Sequence, residues 1–206
     1  MAEKRKYELK KRAERQEETR RRIVEATVAL HLEKGPAATK ISEIARRAGV
    51  QRVTVYNHFP YETSLLAACS SHWRALHPAP DPAQWAATAD PAERLRLGLR
   101  ELYAWYRETE PMTANVLRDA ELLPALRSII ESGLGAYLAG VRESLIAPLA
   151  TGRRRARVQA AGRVATDFHT WRSLAPLGET EAAELAASIV ELAAGTVQAH
   201  ERGDDP

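Results

Sequence analysis

The chain has 206 residues, 45% of them apolar and 28% charged, an ordinary balance for a globular protein of one or two domains with a sizeable core. No apolar run approaches the roughly 20 residues that span a bilayer, and the first 22 residues lack the apolar stretch of a signal peptide, so a membrane protein is excluded and a cytoplasmic location expected. The net charge of +3 hides an asymmetry, because residues 1–66 hold 15 Lys or Arg against 9 Asp or Glu while the remainder holds 15 against 18; a polyanion is attracted to the first third of the chain.

Proline and glycine divide the chain into helical blocks, and no useful length alternates apolar and polar residues as a strand does. The first helix is expected from Glu17 to Glu33, stopped by Gly35-Pro36. Residues 1–16 ahead of it form a basic arm with two open readings: a solvated extension of the helix laced by i,i+4 ion pairs, or a segment laid along the minor groove of DNA. A short helix follows with Ile41, Ile44, Ala45 and Ala48 as its apolar stripe; Lys40 stands where a hydroxyl would complete a capping box with Glu43, and Gly49 ends the helix. A third helix runs from Gln51 to Phe59, halted by Pro60. Two helices of this length around a glycine turn are helix-turn-helix geometry.

The fourth helix, Glu62 to His77, carries Leu65, Leu66, Cys69, Trp73 and Leu76 on one side. Cys69 is the only cysteine, which excludes an internal disulfide and a cysteine-based zinc cluster. Three prolines between Pro78 and Pro82 force extended chain. Beyond them helices are expected at 91–109, 112–117, 124–149, 153–174 and 180–200, giving an all-α fold of about nine helices. Its parts are the arm (1–16), a DNA-binding domain (17–66) and a larger ligand-binding and dimerisation domain (67–206).

Within the third helix, Val55 and Phe59 face inward with Val50. Gln51, Arg52, Val53 and Tyr56 face outward and suit a major groove: Arg offers two donors to guanine, while Val and the Tyr ring meet thymine methyls. Thr54, Asn57 and His58 suit the groove edge, where their donors hold phosphates without reading sequence, and Arg46 and Arg47 are further phosphate candidates. The order and spacing of Ile44-Ala45, Ala48-Gly49-Val50, Thr54-Val55-Tyr56, His58-Phe59-Pro60 and Leu65-Leu66 resembles the DNA-binding domain of the tetracycline-repressor (TetR) family of transcriptional regulators. The resemblance implies a phosphate contact for Thr39 as well as for matching Thr, Tyr and His positions, a homodimer, and a palindromic operator. Glu62 departs from the family, standing where a lysine usually holds a phosphate. Hence the alternative: a module of this fold whose operator binding is weakened or lost, acting by ligand binding or protein interaction.

The last helix shows a polar stripe of Glu184, Ser188 and Glu191 in an otherwise apolar sequence, so its wide apolar arc, including Val190 and Ala194, is expected to pack against a second copy. Tyr103, Trp105, Tyr106, Arg107, Met112, Asn115, Asp119, Tyr137, Phe168 and His169 are candidates for the pocket of an unknown small-molecule effector, anionic or cationic. Gly133, Gly135 and Gly140 lack dinucleotide-binding spacing and are expected to permit close helix packing. The six histidines show no metal-ligand spacing and no serine elbow occurs, so no catalysis, metal or cofactor is expected.

Overall fold

The computed structural model describes residues 2–195, with side chains from residue 6 onward. Among the described residues there is no strand. The helices are α1 (Ala2–Lys34), α2 (Ile41–Ala48), α3 (Arg52–His58), α4 (Glu62–Leu76), α5 (Pro91–Asp119), α6 (Pro124–Ile130), α7 (Ala136–Leu145), α8 (Arg155–Ala165), α9 (Phe168–Leu174) and α10 (Glu179–Ala194). No helix of the described residues is long and apolar enough to cross a membrane.

The chain forms two compact units, one made of residues up to 78 with 109–132, the other of 79–108 with the residues from 133 onward. The first unit therefore takes in the C-terminal part of α5 and all of α6 from the stretch assigned to the ligand domain. Its core gathers Ile23, Val24, Ala26 and Leu30 of α1, Ile44, Ala45 and Ala48 of α2, Val55 and Phe59 of the third helix and its end, Leu65 and Cys69 of α4, and Met112 of α5. Leu76, expected on the inner side of α4, is 59% exposed.

The C-terminal end of α5 finishes α1. A helix leaves its last carbonyls without partners, and here Asn115 Nδ2 donates to the carbonyls of His31 (2.9 Å) and Leu32 (3.0 Å), while Arg118 donates to that of Lys34 (3.2 Å). Asp119 accepts the Ala37 N–H at 2.9 Å and the Arg118 Nε–H at 2.7 Å. Gly35, with φ +88°, passes so close to Arg118 and Asp119 that a side chain there would collide with both, on top of the strain of a positive φ.

In the second unit, α8 packs along α10. Tyr103 and Tyr106 of α5 donate their hydroxyls to the carbonyls of Ala165 (2.9 Å) and Thr166 (2.8 Å), finishing α8 in the same way. Asp167 caps α9 through the N–H groups of His169 and Thr170. Three expected boundaries shift. Residues 91–109 and 112–117 form one helix, since Pro111 sits exposed inside α5 and loses a single backbone hydrogen bond without ending it. The 124–149 helix is divided by a wide π turn at Glu131–Gly135, and 153–174 breaks at the Asp167 cap. Gly133 and Gly135 belong to that turn, and a side chain at Gly140 would meet only open space, so the expectation of close packing does not hold at Gly140. The close approaches are at Gly98 and Gly162 instead, whose missing side chains make room for Leu145 and Ile146.

Candidate nucleic-acid interface

The reading unit is built by local chemistry. In α2 the buried Ile44, Ala45 and Ala48 turn one face to the core. Gly49 then adopts φ +66°, and the Val50 N–H reaches back to the Ala45 carbonyl at 3.0 Å, a helix stop that glycine makes without strain. Lys40 offers no side-chain acceptor, but the other half of the expected box forms: its N–H donates to Glu43 at 3.1 Å. Glu43 also receives the Lys34 ammonium at 2.6 Å, and the two contacts hold its carboxyl below the usual range.

The α3 helix is anchored by Val55, fully buried, and by Phe59 at its end, 4% exposed. Two arginines of α1, which in the sequence merge with a charge run, fix its position. Arg22 donates to the Ala48 carbonyl at 3.0 Å, and the Arg20 guanidinium lies 4.4 Å over the Phe59 ring, a cation–π contact. With the inner side so held, the opposite side is set outward: Gln51, Arg52 and Asn57 are exposed, as are Val53 (56%) and Tyr56 (47%). Thr54 and His58 lie half-buried at its margins. Half-buried Thr39 turns its hydroxyl to the Gly35 carbonyl at 2.8 Å. Arg46 and Arg47 are exposed on α2, Arg47 paired with Glu33 at 2.5 Å. Tyr61, 72% exposed just before α4, is an aromatic that sequence reading left aside; neighbouring Glu62 is exposed at the first turn of α4.

The segment read as an arm is helical from Ala2 onward. Its side chains from residue 6 to 18 are exposed, and Lys10 pairs with Glu14 at 3.9 Å one turn on.

The ten pocket candidates divide between the two units. Met112, Asn115 and Asp119 belong to the first unit, where they fill the core and finish α1. Tyr103, Tyr106 and Phe168 are buried in the second unit. Tyr106 lies 5.5 Å from Trp105, 5.4 Å from Phe168 and 5.7 Å from Trp171, a cluster member not picked from the sequence; Trp105 stands edge-on to Tyr137 at 5.6 Å. His169 is exposed, and Arg107 is ion-paired to Glu179 at 2.7 Å. Among the described residues no three His, Cys, Asp or Glu side chains gather as a metal site.

The profile described as "Bacterial regulatory proteins, tetR family" matches residues 23–69, the span from the first core residue of α1 through α4's Cys69. An HTH-type transcriptional repressor of Mycobacterium tuberculosis is 36% identical over 135 residues, covering 60% of this chain and 66% of that protein; an HTH-type transcriptional regulator of Mycobacterium bovis matches equally. The match thus spans just under two thirds of these relatives' length. In fold, a TetR transcription regulator from Haloarcula marismortui aligns with a TM-score of 0.57 at 18% identity, over 87% of this chain and 97% of that one. The transcriptional regulator FadR of Bacillus subtilis, in complex with stearoyl-CoA, aligns with a TM-score of 0.53 at 18% identity, over 86% and 98%. Sequence over the reading unit and fold over most of the chain agree, and residues 23–69 carry the DNA-binding domain of the TetR family of bacterial regulatory proteins.

Proposed function

We propose that the protein is a homodimeric transcriptional repressor that binds a palindromic operator through α3 and is released from it by a small-molecule effector. One observation carries the reading: Gln51, Arg52, Val53 and Tyr56 form an exposed face on a helix whose other side is fixed in a core. A short helix so presented has the dimensions and donors of a major-groove reader. The exposed apolar residues Leu185, Ile189 and Leu192 of α10 and Val164 of α8 support a second copy packed on that face, and two-fold symmetry then matches a palindrome. That a regulator of this fold holds stearoyl-CoA supports an effector for this one.

Arg52 reads a base in this scheme and His58 holds a phosphate. Arg52→Ala is expected to cost about 1–3 kcal/mol and to relax preference at one operator position, whereas His58→Ala weakens all sequences alike. Fluorescence anisotropy against the operator and single-base variants measures both, with the DNA flanking the protein's own gene as first candidate operator. Uniform loss in both variants means that the outward face reads no bases. Native protein that shifts no genomic fragment at all leaves a module without operator binding, with Glu62 the first residue to revert to Lys.

Deleting residues 1–11 removes Lys4, Arg5, Lys6, Lys10 and Lys11 against Glu3 and Glu8. If this end of α1 lies on phosphates, each lost contact flattens the slope of log K against log salt by roughly 0.9. The truncated dimer is then expected to be flatter by about two or more; an unchanged slope means that the segment is only a solvated extension.

A further inference from the structure

The acidic average of the chain from residue 67 onward conceals one basic stretch. No acidic residue stands between Glu143 and Asp167, and Arg153, Arg154, Arg155, Arg157 and Arg163 all fall in that interval; the rest of the chain from residue 67 holds 10 Lys or Arg against 18 Asp or Glu. All five arginines are exposed, four of them within five positions where the short turn of Gly152–Arg154 runs into α8. Arg154 donates to the Ala194 carbonyl at 2.8 Å. Among the described residues no ion pair or hydrogen bond engages Arg153, Arg155 or Arg157. The helix packed along α8 supplies no counter-charge: on α10, Glu184 and Glu191 turn to Arg96 and Glu179 to Arg107, while Glu181 lies at the end of α10 away from Ala194.

These three arginines do not serve the fold. Cations at a helix start oppose its dipole, and α8 begins on Arg155 with no acid in its first turn and no side-chain cap. Repulsion between neighbouring guanidiniums adds to that cost, and an anion laid over them removes it. The surroundings say which anion. A protein partner draws its affinity from apolar and aromatic anchors at the centre of the interface, and a lipid surface takes up an apolar helix face. No large apolar side chain is exposed between Leu122 and Val164, so this surface offers donors and no anchor. A nucleic-acid backbone asks for nothing more, since neutralised phosphates release their counter-ions and guanidinium forks match phosphate oxygens in pairs.

We propose that Arg153, Arg155 and Arg157 form a second DNA-binding surface, separate from the reading head, which takes the phosphate backbone of duplex DNA without regard to sequence. The test measures the full chain on a short random-sequence duplex by fluorescence anisotropy over a salt series. Both proteins compared carry Arg52→Ala and His58→Ala, so that the reading head contributes little to either. Adding Arg153→Ala, Arg155→Ala and Arg157→Ala is expected to weaken binding about tenfold or more at about 0.1 M salt, and to flatten the slope of log K against log salt by about two or more. The same three positions changed to Lys should keep the slope, because charge is what the surface supplies. The alanine protein should melt no lower than its parent, since the three side chains hold nothing in place. An unchanged slope in the alanine protein overturns the surface, as does an equal loss in the lysine protein or a lowered melting temperature with alanine. Poly-L-glutamate bound through the same arginines more tightly than the duplex overturns DNA as the occupant. A native chain that recognises no operator, yet binds random duplex through these arginines, supports the surface and overturns instead the reading of the protein as an operator-bound repressor.

Discussion

Changing Leu185 and Ile189 together to Glu is expected to convert the proposed dimer into a folded monomer that no longer shifts operator DNA. The two residues lie one turn apart on α10, 44% and 41% exposed, with Leu192 (62%) further along and Val164 (48%) on the neighbouring α8. Side chains already half in solvent tolerate charge in the isolated subunit. In a two-fold interface each change occurs twice, so four carboxylates would be desolvated without partners, at several kcal/mol for each one fully buried. Val190→Glu serves as the contrast. Val190 is fully buried within the subunit, and a carboxylate there is expected to cost the fold itself. Sedimentation equilibrium separates monomer from dimer, and far-UV circular dichroism separates folded from unfolded. A Leu185→Glu/Ile189→Glu protein that remains a dimer would place the association on another surface.

Acid is expected to weaken the first unit well before its carboxylates titrate. His31 is 5% exposed at the end of α1, and desolvation lowers its pKa from 6.5 to about 4, against a smaller upward pull from Asp119. Because the folded value lies below the unfolded one, the unfolded chain binds the proton first. Stability is complete above pH 6.5 and lost as pH falls toward 4, by on the order of 3 kcal/mol in all and about 2 kcal/mol by pH 5. Asp119, whose own pKa is lowered by Arg118 and the Ala37 N–H despite its burial, adds its loss only below the ordinary carboxylate range. Amide hydrogen exchange in α1 and α2 between pH 7 and 5, corrected for intrinsic rates, reads this unit by itself. His31→Leu should flatten the dependence, and an unchanged slope in that variant would assign the acid sensitivity to other groups.

The reading unit was legible because its determinants are local. The stripe of Ile44, Ala45 and Ala48, the Gly49 stop and the Val55–Phe59 pair each fix their geometry within a few residues. The C-terminal half was legible as helix but not as surface. Periodicity gives the angle between a polar and an apolar stripe, and cannot say which one meets the core. On α10, Glu184 and Glu191 turn to Arg96 of the same unit, with Glu191 only 7% exposed, while Leu185 and Ile189 face out. The pocket candidates divide between the units for a related reason. Asn115 and Asp119 share one helix with Tyr103 and Tyr106, yet α5 contributes its two ends to different units, a division that follows from long-range packing and leaves no mark on the helix's own sequence.

Gly98 on α5 and Gly162 on α8 carry a constraint on how this sequence can drift. A β-carbon built on Gly98 falls 2.6 Å from both methyls of Leu145, and one on Gly162 falls 2.6 and 2.7 Å from Ile146, side chains that are 0% and 2% exposed and have nowhere to retreat. Each glycine costs its helix about 1 kcal/mol relative to alanine, a penalty opposed by the close crossing that it permits. Bulk is thus held in common by positions 98 and 145, and again by 162 and 146. Alanine at either glycine becomes acceptable only after its partner has shrunk, and the smaller partner alone opens a cavity. The two pairs are each bound to change by concerted replacement, through an intermediate that is either overfilled or hollow.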